Sequence, residues 1–414
     1  MTTPSTIGHV RACQICAASS LELVLMLGHH PLPSSYLTEA QLHDPETAYP
    51  LTLVRCTACG LVQLDHIVDP TSVFPPEYPY QTGMTNMLIR NFQALADAVV
   101  PAYGLTSEHL VVDIGSNDGT LLKPFKAHGV RVLGVEPTDT AKLANAAGIE
   151  TIQAYLTVET ARAAAEKYGT ARVVTAANVF AHIPNPVQVV EGVKALLSDD
   201  GVFISESQYL MDIVEHLEFD TVYHEHLRFY ALKPLQTLFA LTGMSIVDAE
   251  RISAAGGSIR VYAKKGTHVP SARVAELIAA EEAAGLYDAA ALNAFAQKAI
   301  QAKRDLLALL LSCRAKGRIA ALGSPVRANT LMGFTRLDTT LIDYCGERSG
   351  SPKIGLYTPG THIPVADEKR LFDEQPEFLL VNSWHIGEEL MKKMRDLGYN
   401  GTFIVPLPTP RLVS

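Results

Sequence analysis

Short apolar runs recur along the chain, and several end on a glycine, a carboxylate or an amide. Val111, Val112 and Ile114 read as a buried strand, Gly115-Ser116-Asn117-Asp118-Gly119 as a tight turn, and residues 120–128 as the helix that follows. The pattern then repeats. Residues 130–136 read as a second strand ending on Glu136, 149–153 as a third, 171–178 as a fourth ending on Asn178, and 201–206 as a fifth ending on Glu206. Helical spacing of apolar residues separates them over 139–147, 157–168 and 187–197. Strands alternating with helices predict a parallel sheet, with a ligand expected where the strands end. Residues 49–55 read as an earlier strand, 87–100 as a helix, and 256–263 as a strand after a Gly-Gly turn. Residues 271–314 read as helix with a break near Gly285. Three more buried runs, 318–323, 340–343 and 378–382, predict a second α/β unit.

Composition narrows the classes. The chain has 414 residues, enough for two or three domains, and is 48% hydrophobic and 19% charged, as a globular protein is. Its net charge of −9, with no basic run, argues against a nucleic-acid partner. No apolar stretch reaches the roughly eighteen residues that a membrane-spanning helix needs. The first residues carry no signal-peptide pattern, so the cytoplasm is the expected compartment. A monomer is the expected state, because three segments suffice to enclose a cleft.

Four of the six cysteines form two pairs, Cys13-Gln-Ile-Cys16 and Cys56-Thr-Ala-Cys59. One tight turn per pair aims two thiolates at one metal, the pattern of tetrahedral zinc. With all four positions filled by protein, the zinc is expected to be structural. A redox pair is the rival reading. Cys313 and Cys345 read as ordinary buried thiols.

The glycine turn selects a cofactor. It lacks the middle glycine of a dinucleotide fingerprint. Asp113 places negative charge beside the turn, which is poor for phosphates and good for an ammonium group. Glu136, at the next strand end, suits a ribose diol. Asp113, Gly115, Gly119 and Glu136 together resemble the first two motifs of class I S-adenosylmethionine (SAM) methyltransferases.

The run Tyr223-His224-Glu225-His226 is the densest chemistry in the chain. Histidine is suited to move protons near neutral pH, so acid–base catalysis is one reading. A metal site with His182 as third ligand is another, and a hydrogen-bonded structural cluster a third. Read as an extended segment, the run points His224 away from its neighbours. His182 lies just past the fourth strand, where catalytic groups of such sheets collect. Tyr78 and Tyr80 sit in a proline-rich loop that reads as a surface loop or a flap over the cleft.

In this order the two Cys pairs, Asp113-Ile-Gly-Ser-Asn-Asp-Gly119, Asn178-Val-Phe-Ala-His182-Ile-Pro184, Tyr223-His-Glu-His226, Gly323-Ser-Pro-Val-Arg-Ala-Asn329 and Gly355–Pro364 resemble the sugar C-methyltransferases, which act on nucleotide-linked 4-keto-deoxysugars. The resemblance covers nearly the whole chain. It implies a zinc-binding domain over 1–75, a Rossmann-like SAM domain over 76–250 and a second Rossmann-like α/β domain over 251–414. Cofactor contacts are implied for Asp113, Gly115, Asn117, Gly119, Glu136, Pro137, Asn178 and Phe180. His226 is implied as the base, with His182 and Tyr223 at the enolate oxygen and Glu225 at a sugar hydroxyl or the imidazole. Tyr78, Tyr80, Glu206, Gly323, Arg327 and Asn329 are implied to meet the sugar nucleotide, Arg327 at a phosphate of dTDP or GDP. The rivals are an O- or N-methyltransferase of another metabolite and a non-enzymatic zinc-ribbon binding module.

Overall fold

The computed structural model of the chain describes residues 7–76 and 81–414. A seven-stranded sheet forms its centre. Its order is Met244–Ile252, Ser258–Lys265, Leu197–Gln208, Ala171–Ala177, Leu110–Ile114, Arg131–Val135, Thr151–Ile152. Leu110–Ile114 is buried at every position, as a strand covered by helices on both faces must be. The last five strands in that order are mutually parallel, and Ser258–Lys265 runs antiparallel to both of its neighbours. The strand order reverses at Leu110–Ile114, so the crevice opens beside Gly115 and Asn178. Ser258–Lys265 lies past the boundary expected at residue 250, yet it belongs to this sheet.

The second α/β unit repeats the scheme. Val365–Asp367, Cys345–Glu347, Ile319–Leu322, Phe378–Val381 and Thr402–Val405 are parallel, and Arg411–Val413 closes the edge antiparallel. Residues 340–343, expected as a strand, form a turn instead. The Thr340 amide and hydroxyl both donate to Asp338 Oδ1, which bends the chain, and the strand begins at Cys345. The helices Ala272–Ala283 and Ala289–Arg314 precede this unit and break at Gly285, which has φ +69°.

The zinc segment builds a four-stranded antiparallel sheet from Leu21–His30, Tyr49–Cys56, Val62–Leu64 and, from far along the chain, Arg228–Phe229. The run that holds the candidate catalytic residues is therefore hydrogen-bonded into the metal-binding segment. No helix among the described residues is long and apolar enough to cross a membrane.

Candidate active site

The cofactor turn is built from its glycines outward. Gly115 has φ +66°, and a Cβ there would lie 2.5 Å from Val179 Cγ2, so backbone alone fits. Asp113, at the end of the strand, is buried and accepts a 2.6 Å hydrogen bond from Thr175 Oγ1. Burial pushes its carboxyl up to about 8. Glu136 holds the turn from the next strand: its Oε2 accepts from the Asn117 amide at 3.0 Å, and its Oε1 from the Thr138 amide and hydroxyl. Asn117 and Asn178 both adopt positive φ at strand ends. The Gly83 amide closes over the turn by donating to Asp118 Oδ2. A buried carboxylate that lacks a cation, with a second carboxylate at the neighbouring strand end, fits a ligand carrying an ammonium group and a diol. Pro137 is half-buried beside Glu136. Phe180 differs from the expectation of a cofactor contact. Its ring is fully buried and stacks on Tyr230 at 5.6 Å, within the core.

Three of the four expected catalytic residues meet around one imidazole. The Tyr223 ring lies 4.1 Å and the His182 ring 4.9 Å from the His226 ring. His226 Nδ1 lies 2.7 Å from the Thr221 carbonyl. A carbonyl only accepts, so Nδ1 carries the proton and Nε2 is left as the basic nitrogen. Burial pulls the His226 pKa down to about 4, so the ring is neutral at pH 7. Burial, then the neighbouring His226 and Arg228, hold His182 well below the ordinary histidine value. Among the described residues, His182 Nδ1 is buried without a hydrogen-bond partner.

The run is not extended, as the sequence suggested. It turns, with the His226 amide donating to the Tyr223 carbonyl at 2.9 Å. His224 still faces away, but toward the zinc sheet, where Nε2 donates to the Pro50 carbonyl at 3.1 Å. Glu225 accepts from Ser34 Oγ at 2.5 Å.

The four cysteines converge. Their Sγ atoms all lie within 4.8 Å of one another, with Cys13 to Cys59 at 3.5 Å and Cys16 to Cys56 at 3.6 Å. Sulfurs about 2.3 Å from a tetrahedral zinc stand about 3.8 Å apart, so the cluster fits the ion. Sequence reasoning missed Arg228. Its side chain is 1% exposed, and it donates to Gln14 Oε1 of the first knuckle, to the Tyr230 hydroxyl and to the carbonyls of Phe180, Ala181 and Ile183 around His182. Its position inside the catalytic run was the available signal.

The remaining expected substrate residues divide. Tyr78 and Tyr80 lie outside the described residues. Glu206 is buried, with Oε2 paired to Arg260 at 3.0 Å and Oε1 accepting from Asn91. Arg327 is not at a free phosphate position. It is buried and grips Asp220 through Nε and Nη2, both at 2.8 Å, with Glu218 at 3.4 Å. Asp220 and Thr221 are neighbours in the chain, so the residue in the ion pair adjoins the one whose carbonyl holds the His226 imidazole. Beside the half-buried Gly323, the Ser324 carbonyl is already engaged. Tyr36 of the zinc segment donates to the Ser324 carbonyl at 2.6 Å, and Lys353 Nζ donates to it at 2.7 Å. Asn329 donates to the Pro33 carbonyl at 2.7 Å.

Three family models match the chain in order: a zinc binding domain over residues 13–74, a methyltransferase domain over 85–249 and a C-methyltransferase C-terminal domain over 253–408. The chain is 33% identical over 407 residues to the C-methyltransferase NovU of Streptomyces niveus, covering 97% of this chain and 96% of that one. Among solved structures it is similar to the PH0226 protein of Pyrococcus horikoshii (TM-score 0.37, 16% identity, 47% of this chain and 97% of that one). It is also similar to magnesium protoporphyrin IX methyltransferase of Synechocystis with bound SAM (TM-score 0.35, 16% identity, 48% and 99%).

Proposed function

The chain belongs to the C-methyltransferase family, with SAM as methyl donor and zinc as structural metal, and from that membership we propose that it methylates C-3 of a 4-keto-deoxysugar carried on a nucleotide. The observation that carries this reading is the bond from His226 Nδ1 to the Thr221 carbonyl, which leaves Nε2 bare.

Carbon becomes a nucleophile when a proton beside a ketone is removed. His226 Nε2 takes the C-3 proton, and the C–H bonding pair becomes the enolate, with charge on the C-4 oxygen. That oxygen needs a preorganised donor. His182, beside the base, gives one in the tautomer that carries its proton on the unpartnered buried Nδ1. Tyr223 packs against the imidazole at 4.1 Å, tilted by 33°, and helps to hold it in place. Glu225, held by Ser34, is the residue for a sugar hydroxyl. Asp113 and Glu136 hold the cofactor, which when bound supplies an electrophilic methyl group.

The test is isotope exchange without SAM. The wild-type chain in heavy water washes deuterium into C-3 of the 4-keto sugar nucleotide, and His226→Asn does not. Exchange at the wild-type rate in His226→Asn would remove His226 as the base.

A further inference from the structure

The helix Asn86–Ala102 follows a short helical turn, Thr82–Met84, and that turn lies against the cofactor turn. The Thr82 amide donates to Asn117 Oδ1 and the Gly83 amide to Asp118 Oδ2, both at 2.9 Å. A Cβ at Gly83 would stand 2.6 Å from Asp118 Oδ2, so only glycine lets the backbone come this close to the carboxylate. The seat of the helix therefore decides how the outer side of the cofactor turn is held.

That helix buries Leu88, Phe92, Leu95, Ala96 and Val99, an apolar stripe at helical spacing. Asn91 falls on the same stripe, three residues after Leu88 and four before Leu95, where packing alone would select an aliphatic side chain. Its amide meets a row of charges instead. Glu250, Arg260 and Glu206 stand opposite one another on three adjacent strands of the central sheet. Arg260 donates to Glu206 Oε2 through Nε and Nη2, and to Glu250 through Nη1. Glu206 and Arg260 are both buried. Asn91 Nδ2 donates to Glu206 Oε1 at 2.8 Å, and Asn91 Oδ1 accepts from Arg260 Nη2 at 2.9 Å.

One amide thus serves the buried anion and its cation together, a donor to the first and an acceptor from the second. A carboxylate at this position would repel Glu206, and an aliphatic residue would leave Oε1 without a donor. Buried polar contacts of this kind are weak evidence of stability, whereas one polar side chain in an apolar helical seam fixes register. The same row reaches the crevice, since the Glu206 carbonyl accepts from the Asn178 amide at 2.8 Å.

We propose that Asn91 is a positioning residue for the methyl donor: it sets the register of the helix Asn86–Ala102 on the Glu206–Arg260 pair and so holds Thr82–Met84 against the cofactor turn. The proposal rests on Asp113 and Glu136 holding the cofactor. Its test is calorimetric titration of the full zinc-loaded chain with S-adenosylhomocysteine, alongside hydrogen exchange of the peptide that contains Thr82 and Gly83. In Asn91→Leu, which keeps the apolar stripe and both charges of the pair, affinity is expected to fall about tenfold, the loss of one charge-assisted hydrogen bond. Exchange at Thr82 and Gly83 in the complex speeds up. The KM for SAM rises by the same factor, while the KM for the acceptor stays near the wild-type value. Asn91→Gln, which keeps a donor and an acceptor, restores most of the affinity. Wild-type affinity and exchange in Asn91→Leu would overturn the proposal, and so would a loss that falls equally on the cofactor and the acceptor, the mark of a general packing role. Asp113→Asn separates the two readings. If it weakens binding and Asn91→Leu does not, the Asn91 assignment alone falls; if neither does, the cofactor turn falls with it.

Discussion

Gln14, between the first two zinc-ligand cysteines, accepts a 2.6 Å hydrogen bond from Arg228 Nη1. Arg228 directs its other donors to the backbone around His182 and to the Tyr230 hydroxyl, and its own strand pairs with Val62–Leu64. A four-cysteine clip near the start of the chain is thus connected, through one buried guanidinium, to the backbone that carries His182. The connection runs through positions, not through metal chemistry: with four thiolates in place the ion has no open coordination site.

Gln14→Leu is therefore expected to keep its zinc and lose activity. Arg228 retains other acceptors, so it loses one charge-assisted hydrogen bond, about 1.5–3 kcal/mol, and the Gln14 Nε2 bond to the Leu64 carbonyl goes with it. If half or more of that is felt in the placement of His182, kcat falls about tenfold. Metal analysis, thermal unfolding and kcat measured on the same preparation check it. Retained zinc with a wild-type kcat would show that the clip merely scaffolds the sheet.

The acid limb of the rate reports the base. His226 must be neutral to accept the C-3 proton, and burial places its pKa at about 4 rather than in the usual range near 6.5. As pH falls from 7, an ordinary histidine would be half-protonated near 6.5 and lose activity there. With the folded value depressed, the base stays competent until pH approaches 4. A kcat profile in stable buffers, with folding followed in parallel, is expected to stay level down to about pH 5. A limb at pH 6 to 7 with the fold intact would contradict the depressed value.

Local patterns made much of the architecture legible. Alternating buried runs and amphipathic helices were enough for both α/β units, and C-x-x-C spacing was enough for the metal clip. What escaped depended on partners distant in sequence. Nothing local shows that Arg228 will pair with Gln63 and Gln14, or that Ser258–Lys265 will close the central sheet. Arg327 illustrates the limit most clearly. An arginine after a glycine turn suits a phosphate, and only the fold reveals that Asp220 already holds it. The 223–226 turn failed for a different reason: the bond from the His226 amide to the Tyr223 carbonyl is local, and the run carries no glycine or proline to signal a turn.

Arg327 offers a sharp choice between holding a phosphate and holding the base. Its guanidinium is buried against Asp220, which also accepts from Trp384 Nε1 at 2.8 Å. Arg327→Gln leaves Asp220 buried without its counter-ion, a change that costs about 3–5 kcal/mol. The carbonyl of the adjoining Thr221 then no longer fixes the His226 tautomer. The expected signature is a lower melting temperature and a lower kcat, with the nucleotide KM little changed. A raised KM with unchanged stability would restore the phosphate role.

Cofactor binding is expected to release a proton. Burial holds the Asp113 carboxyl at about 8, so in the free protein at pH 7 it is mostly protonated. An ammonium group beside it favours the charged form and drives the proton off. S-adenosylhomocysteine carries the same amino group and does not react, which makes it the probe to titrate. Its binding enthalpy at pH 7 should vary with the ionisation enthalpy of the buffer, with a slope approaching one released proton per site. At pH 9 the carboxyl is already ionised, and the slope should vanish. Asp113→Asn should bind about tenfold or more weakly, losing a charge-assisted bond, and show no buffer dependence at pH 7. An equal buffer slope in Asp113→Asn would place the released proton on another group and remove Asp113 as the ammonium partner.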